Sequence, residues 1–413
     1  MSVLRKNILS LLLWQVANYV LPLLTFPYMT RVLGPESFGA LAFAQAIMAY
    51  AILLADWGFG LSASQEVARN QQDHAHISRI FWETMLAKLL LAGASLLILL
   101  LAIVCIPRLW AMASVLLLSW ITVLGSVLTV NWLLQGLEKM GRFVVAGLVG
   151  RLVAIPLVFL LVHSPADVSV AAAIQSLAAV VAGLGSLVAA HRLGVIHWVR
   201  PSLRGAWAQL RLGYSIFVAS AAVNVYTASN TVILGAVSGV REVGYFSGAD
   251  KLRTAAQGLL NPLSLAVYPR ANALMAESRE AGLAFLRKLL LLQGGFALCI
   301  SLGLMVTAKW LVHLMLGGDF ADTVLVLRWL AALPFLIGVS NVFGIQVMLA
   351  LGMQKAFTRI LVLSGILNVC MVLFMAHFYG AVGVAITMVV VELFVTITMG
   401  LYIHQQKIPL FRR

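Results

Sequence analysis

Long apolar runs separated by short polar breaks follow one another along the whole chain. A helix needs about 20 apolar residues to cross the hydrocarbon core of a membrane. Runs of that length predict helical spans near 8–30, 38–60, 80–104, 110–134, 143–163, 168–190, 213–237, 250–272, 289–312, 324–350, 359–379 and 381–404. The pattern therefore predicts an all-α membrane protein with about twelve transmembrane helices.

The composition excludes a soluble protein. The 413 residues are 62% hydrophobic and only 10% charged, whereas soluble domains average about 45–50% apolar and about 25% charged residues. The net charge of +14 does not indicate a nucleic-acid partner, because the basic residues stand singly between apolar runs and not together on one basic face. Cys105, Cys299 and Cys370 lie far apart inside apolar runs, so we expect small core residues and neither disulfides nor a metal site.

The distribution of basic residues predicts the orientation. Short loops on the cytoplasmic side of a membrane carry more Lys and Arg than outer loops do. With the N-terminus inside, most of the 28 basic residues fall in inner loops and tails, which predicts both termini in the cytoplasm. The longest loop, 191–212, is basic and central. It predicts an N-terminal lobe, 1–190, a basic cytoplasmic linker, 191–212, and a C-terminal lobe, 213–413, with six spans in each lobe.

The two predicted lobes resemble each other in sequence. A shift of 205 positions superimposes residues 31–45 on 236–250. The pairs that then coincide are Gly34 with Gly239, Gly39 with Gly244, Ala44 with Ala249, Gln45 with Asp250, Asp56 with Asn261 and Lys88 with Gln293. Because each half holds an even number of spans, we expect parallel repeats related by an axis along the membrane normal, with the substrate between them.

The first helix of each lobe carries polar residues at spacings of three and four, which place them on one helical face. Asn18 belongs to this stripe in the first lobe and Asn224 to the stripe in the second. Such stripes are common at helix–helix contacts in membranes, or they line a substrate cavity. Their equivalent positions in the two lobes favour the cavity.

Ionisable residues within the spans are candidates for function, because a charge at the centre of a bilayer costs roughly 2.5–3.5 kcal/mol. Asp56 is either a cavity carboxylate that binds a coupling ion or a cap at a helix end. Lys88 either lines a cavity or extends its ammonium to the headgroups. Arg151 has no acidic residue nearby in sequence, which favours a cavity. Glu392 lies near the middle of its span and either binds a coupling proton or pairs with a basic residue.

One helix face in the second lobe collects further polar side chains. Asp250, Arg253, Gln257 and Asn261 follow one another at spacings of three and four, and therefore share a face. Asp250 is a candidate for ion coupling and Arg253 for the substrate cavity. The alternative is a simple ion pair between these two residues.

The sequence contains no GxSxG, HExxH or P-loop motif, so no catalytic or nucleotide-binding site is predicted. We therefore expect a transporter that is not an enzyme and has no cofactor or metal. Its energy would come from an ion gradient, the membrane potential or the substrate gradient. Arg and Lys in a water-filled cavity would suit phosphate oxygens.

The segment NYVLPLLTFPYMTRVLGPESFGALAFAQAIMAY, followed by DWGFGLSASQEVARNQQD, resembles the amino-terminal signature of Wzx-type O-antigen flippases. These are polysaccharide exporters of the multidrug/oligosaccharidyl-lipid/polysaccharide (MOP) superfamily. The resemblance is dense over residues 15–90 and looser in the second half. It implies a MATE-like fold with two six-helix lobes around a central cavity.

The resemblance also implies a function. A Wzx-type protein moves an undecaprenyl-pyrophosphate-linked oligosaccharide from the cytoplasmic to the periplasmic leaflet of the bacterial inner membrane by alternating access. Its partners would be this substrate, membrane lipids, the polysaccharide polymerase and the chain-length regulator. The cationic cavity described for the family implies substrate contacts at Arg31, Lys88, Arg151, Lys251, Arg253 and Arg270.

Two other functions remain open from the sequence. A cation-coupled drug antiporter of the same superfamily would be expected to carry a cluster of acidic cavity residues, and the chain has only 14 acidic residues in all. A membrane polysaccharide polymerase or ligase would be expected to carry large outer loops, whereas the predicted outer loops are short.

Overall fold

The computed structural model of the chain describes the backbone of residues 3–260, 274, 278–406 and 408. Side chains are described from Leu24 onward, with gaps between 140 and 146, between 222 and 227, and around 261–281. The described residues contain helices and no strands. They divide into two compact units, 1–228 and 229–413, and each is described by itself below.

The helices of the first unit follow the predicted apolar runs. They are α1 (Val3–Asp56), α2 (Phe59–Arg69), α3 (His74–Cys105), α4 (Pro107–Trp110), α5 (Ala113–Leu128), α6 (Asn131–Gly136), α7 (Met140–Leu161), α8 (Val168–His191) and the first part of α9 (Leu203–Ser238). The loop between α8 and α9 comprises residues 192–202, so the last part of the predicted linker is helical. The lobe boundaries at 190 and 213 stay a prediction.

The second unit contains the end of α9 and the helices that follow it. These are α10 (Val240–Gln257), α11 (Arg279–Met315), α12 (Thr323–Leu330), α13 (Leu333–Asn341), a π-helix (Val342–Leu349) and α14 (Gln354–Gln405). The core of this unit forms where the π-helix packs on α11 and α14, through buried residues such as Leu286, Val347 and Met399.

Two glycines break the helices at the positions that the internal repeat pairs. Gly34 (φ 67°, ψ 174°) divides α1, and Gly239 (φ 94°, ψ 170°) separates α9 from α10. Only glycine adopts this backbone region without strain. The predicted equivalence of these two glycines is confirmed, and α1 is in effect two helices, 3–33 and 35–56. Gly380 (φ 54°) divides α14 in the same way.

The described helices have the length and apolarity of membrane spans. Among them, seven segments qualify: Leu24–Arg69, His74–Cys105, Ala113–Gly136, Pro165–His191, Gly282–Met315, Thr323–Leu349 and Gln354–Gln405. Shorter apolar helices cover Gly147–Leu161 and Ala228–Ser238. Large apolar side chains such as Leu291 and Val306 are mostly exposed, as expected for a surface that faces lipid. The prediction of an all-α membrane protein is confirmed, and the exact number of twelve spans stays a prediction.

The prediction for the three cysteines was wrong. Cys105, Cys299 and Cys370 are free and exposed on the protein, not core residues. In a membrane protein, an apolar run marks contact with lipid as well as contact with the core, because lipid tails are as apolar as a leucine side chain. Position within an apolar run therefore does not indicate which of the two a small residue faces.

Candidate functional site

An ion pair lies within the helices of the first unit. Lys88, in the middle of α3, contacts Asp56, the last residue of α1, with 2.9 Å between Nζ and Oδ1. The lysine side chain is 2% exposed and the aspartate side chain 47% exposed. A buried ammonium without a partner is strongly unfavourable, so Asp56 stabilises Lys88 in this position. The ammonium therefore points into the protein.

Ser126 of α5 contacts both members of the ion pair. Its hydroxyl donates to Asp56 Oδ1 at 2.9 Å, and its main-chain oxygen accepts from Lys88 Nζ at 2.8 Å. Sequence reasoning did not identify Ser126. The signal was present, because Thr122, Ser126 and Thr129 follow one another at spacings of four and three, which makes a polar face on an apolar helix.

The end of α1 is held by a turn with an unusual backbone. Trp57 (φ 43°) and Gly58 (φ 81°) both have positive φ, a conformation that a bulky residue adopts rarely. The Trp57 ring stacks on Phe217 of α9 with ring centroids 4.0 Å apart, and its indole N–H donates to the Leu210 carbonyl at 2.8 Å. These contacts fix the place where α1 ends and thus the position of Asp56.

A cavity of about 260 Å³ lies beside the ion pair, with a mostly apolar surface that carries a few polar side chains. We call it the first-unit cavity. Its lining residues come from α1, α5, the start of α6, α7 and α8, and are Ile52, Asp56, Thr122, Gly125, Ser126, Thr129, Asn131, Gly147, Ala179 and Ala182. Asp56 is therefore on the cavity wall, whereas Lys88 lies behind it.

Small residues allow the helices around the cavity to approach closely. A Cβ atom on Gly125 of α5 would lie 2.6 Å from the backbone of Ala179 on α8. A Cβ atom on Gly150 of α7 would lie 2.4 Å from the carbonyl oxygen of Ala178. Close backbone approach at small residues is a common mode of helix association in membranes. These close contacts hold α5, α7 and α8 together around the cavity.

The break between α5 and α6 is also fixed. The backbone N–H of Val130 donates to the hydroxyl of Ser186 on α8 at 3.0 Å. Thr129 and Asn131 flank this point, so both side chains are held at the cavity wall.

The polar face predicted on α10 contains the ion pair that its spacing allowed. Arg253 contacts Asp250 Oδ1 through Nε at 2.8 Å and through a terminal nitrogen at 2.7 Å. Arg253 also donates to Gln257 and to the hydroxyl of Thr254. The arginine is largely buried in the second unit. Asn261, the fourth member of the predicted face, lies outside the described residues.

The second unit repeats one feature of the first. Gln293 coincides with Lys88 in the internal repeat, and it is buried on α11. Its side-chain amide donates to the Gly338 carbonyl of α13 at 3.2 Å. Lys88 makes the corresponding bond from α3 to a carbonyl of α5. Nearby on α13, the Ser340 hydroxyl donates to Glu392 at 2.6 Å.

The remaining predicted residues lie elsewhere on the helices. Arg31 is exposed on α1, and Lys251 is exposed on α10. Arg151 is partly buried on α7, one turn beyond the cavity residue Gly147. Asn224 donates to the Ser220 carbonyl of its own helix at 3.0 Å. Arg270 and the side chain of Asn18 lie outside the described residues.

These helices define a multi-pass membrane protein, and comparisons with known proteins give its family. Residues 4–275 match the family model described as polysaccharide biosynthesis protein. The chain belongs to this family. A protein of Escherichia coli (strain K12) is 36% identical over 98% of both chains and is named provisionally as an O-antigen transporter. A protein of Shigella dysenteriae with the same name is 32% identical over 96% of this chain and 99% of its own.

Solved structures show the fold. An inward-facing multidrug resistance MATE family transporter of the MOP superfamily matches with a TM-score of 0.70 and 18% identity, over 95% of this chain and 96% of its own. The lipid II flippase MurJ, in an inward closed conformation, matches with a TM-score of 0.72 and 14% identity, over 98% of this chain and 88% of its own. The predicted MATE-like fold is confirmed. The two relatives above, both named as transporters, confirm the prediction of a transporter.

Proposed function

We propose that this chain is a flippase for an undecaprenyl-pyrophosphate-linked oligosaccharide, such as an O-antigen repeat unit. It would move this substrate from the cytoplasmic to the periplasmic leaflet of a bacterial inner membrane. The observation that carries the proposal is the 36% identity over 98% of both chains with the E. coli relative. The cavity within apolar helices, with Asp56, Thr129 and Asn131 on its wall, supports it, because a membrane otherwise offers a glycan no polar contacts.

The proposed mechanism is alternating access between two lobes, 1–190 and 213–413, with both termini in the cytoplasm. The polyprenol tail stays in lipid while the headgroup passes through water. Arginine offers forked donors that match phosphate oxygens. The proposed contacts to the pyrophosphate are Arg31, Arg151, Lys251, Arg253 and Arg270.

Three carboxylates are the proposed sites of ion coupling. Asp56 and Asp250 already contact Lys88 and Arg253, so a proton or cation that binds either carboxylate competes with an internal cation. Glu392 accepts a hydrogen bond from the Ser340 hydroxyl and is the third proposed proton-binding carboxylate. The polysaccharide polymerase and the chain-length regulator are the proposed protein partners, because they would receive the flipped product.

Complementation tests the proposal. A strain that makes O-antigen, and that lacks this gene and any substitute exporter, is expected to lose long-chain lipopolysaccharide on a blot. The wild-type gene should restore it, and so should the control Lys309→Met, which alters an exposed residue of α11. If the wild-type protein leaves the blot unchanged and raises resistance to cationic drugs, the antiporter alternative replaces the proposal. Reporter fusions at both ends test the predicted topology separately.

A further inference from the structure

One oxygen of the Asp56 carboxylate is available to a ligand in the first-unit cavity. Lys88 Nζ and the Ser126 hydroxyl both contact Oδ1. Among the described residues, no group donates to Oδ2. The side chain is 47% exposed and belongs to the cavity wall. A carboxylate oxygen has lone pairs for two donors, so Oδ2 can accept from a ligand without disturbing the ion pair.

The neighbouring side chains add hydrogen-bonding capacity of both kinds. The Thr129 hydroxyl donates to the Gly125 carbonyl at 2.8 Å, which leaves its oxygen as an acceptor. The Asn131 side-chain oxygen accepts from the Trp132 backbone N–H at 2.8 Å, which leaves its NH₂ group as a donor. Both residues line the cavity. A ligand that both donates and accepts, as a hydroxyl group does, satisfies them together.

The charges around the cavity argue against an ionic ligand. Asp56 presents its carboxylate to the cavity, and Lys88 lies behind it with 2% exposure, so a pyrophosphate would meet the negative partner first. In the ion-paired state a coupling ion must first displace Lys88, which balances the charge of Asp56 at 2.9 Å, so this state favours a neutral ligand over a cation. A cation would also face the donor NH₂ of Asn131. A neutral, hydroxyl-rich group avoids both difficulties.

The size of the cavity and the apolar part of its wall fit a single sugar-sized ring. The cavity holds about 260 Å³, slightly less than the roughly 300–1,000 Å³ of pockets for drug-sized ligands. Gly147, Ala179 and Ala182 form part of its surface, and these small apolar groups can contact the CH face of a ring.

We propose that the first-unit cavity binds one neutral sugar ring of the transported glycan, through Asp56 Oδ2, Thr129 and Asn131, and that the pyrophosphate binds elsewhere. The inference rests on the proposed function for the identity of the substrate. It assigns to this cavity a role in selecting the glycan, and to Lys88 the role of holding Asp56 in position.

Protection from alkylation tests the proposal. Cys105, Cys299 and Cys370 are replaced by serine, and Ile52→Cys places a reporter on the cavity wall without removing a hydrogen-bonding group. Purified protein in nanodiscs is labelled with a small maleimide in the presence of glucose, galactose, mannose, N-acetylglucosamine, inorganic pyrophosphate or sodium chloride. At least one neutral sugar is expected to slow labelling at least twofold. Pyrophosphate and sodium are expected to leave the rate unchanged.

Three further variants make the result specific. A protein that retains only Cys105, on the outer surface of α3, should label at the same rate with every probe. In the Ile52→Cys protein, adding Thr129→Val should weaken the effect of the sugar about two- to tenfold, as expected for one lost hydrogen bond. Ser114→Ala, which removes an exposed hydroxyl from the same helix, should leave that effect unchanged.

The outcomes separate this inference from the proposed function. Protection by pyrophosphate or by sodium, or protection by none of the probes, overturns the sugar site. The same holds if the Ile52→Cys reporter does not label at all, because the cavity is then closed to a ligand. Each of these results leaves the flippase proposal standing if the wild-type gene still restores glycan export. Loss of that complementation removes the flippase proposal whatever the labelling shows.

Discussion

Removing either partner of the Asp56 and Lys88 pair is expected to have very unequal effects on stability. Asp56→Asn removes the negative charge beside an ammonium with 2% exposure, which then has only neutral acceptors such as the Ser126 carbonyl. Leaving such a charge unpaired is expected to cost about 3–5 kcal/mol. Lys88→Met leaves a carboxylate that is 47% exposed and still bonded to the Ser126 hydroxyl. Water can solvate that group, so the expected cost is about 0–1 kcal/mol.

The double variant Asp56→Asn/Lys88→Met provides the decisive comparison. It leaves no buried charge at this site, so it is expected to recover most of the stability that Asp56→Asn loses. The assay is the free energy of unfolding in detergent micelles with increasing denaturant, followed by the fluorescence of the 10 tryptophans. Lys309→Met, on an exposed lysine, is the control and should change stability by less than about 0.5 kcal/mol. Equal losses in the two single variants, or additive losses in the double variant, would refute the reasoning.

Three further substitutions test the packing of the helices by the same unfolding assay. Gly34→Ala places a side chain on a backbone with φ 67° and ψ 174° and should lower the free energy of unfolding by about 1–3 kcal/mol. The control Gly93→Ala, at a helical position with open space, should be neutral or stabilising. Equal effects of the two variants would contradict a helix break at Gly34. Gly125→Ala brings a Cβ atom to 2.6 Å from the backbone of α8 and should lower the free energy of unfolding by about 1–3 kcal/mol. Unchanged stability would show that α5 and α8 are not in close contact. The Glu242 carboxylate accepts from the Ala381 N–H at 2.7 Å, at the start of the second segment of α14. Glu242→Ala removes this carboxylate and should lower the free energy of unfolding by about 0.5–2 kcal/mol. Glu242→Gln, which keeps an acceptor oxygen, should lower it by less.

The class of protein and the helix breaks followed from the sequence because both have local causes. Apolar runs long enough for a bilayer indicate spans wherever they occur. Gly34 and Gly239 could be paired from the internal repeat, and both have a conformation that requires glycine. The contact between Asp250 and Arg253 depends only on a spacing of three within one helix. Each of these features needs no knowledge of how separate helices pack.

The site depends on packing between helices, so only some of its members, and not their arrangement, could be predicted from the sequence. Asp56 and Lys88 were both recognised as unusual charges, but their contact requires α1 and α3 to meet at one particular register. Ser126 belongs to a third helix and was not recognised. The choice of the first-unit cavity over other polar positions also depends on glycines and alanines, which are common in every helix of this chain.

The pairing of Asp56 with Lys88 bears on how the protein is made. The lysine is synthesised 32 residues after the aspartate, a delay of about 2–6 s at the usual rate of about 5–20 residues per second. During that interval Lys88 is not yet present to neutralise the carboxylate, so the second helical segment of α1 is expected to enter the bilayer with its Asp56 end at the aqueous border. Once α3 is inserted, Lys88 can pair with Asp56. The order of synthesis therefore determines when α1 and α3 can pack together in the first unit.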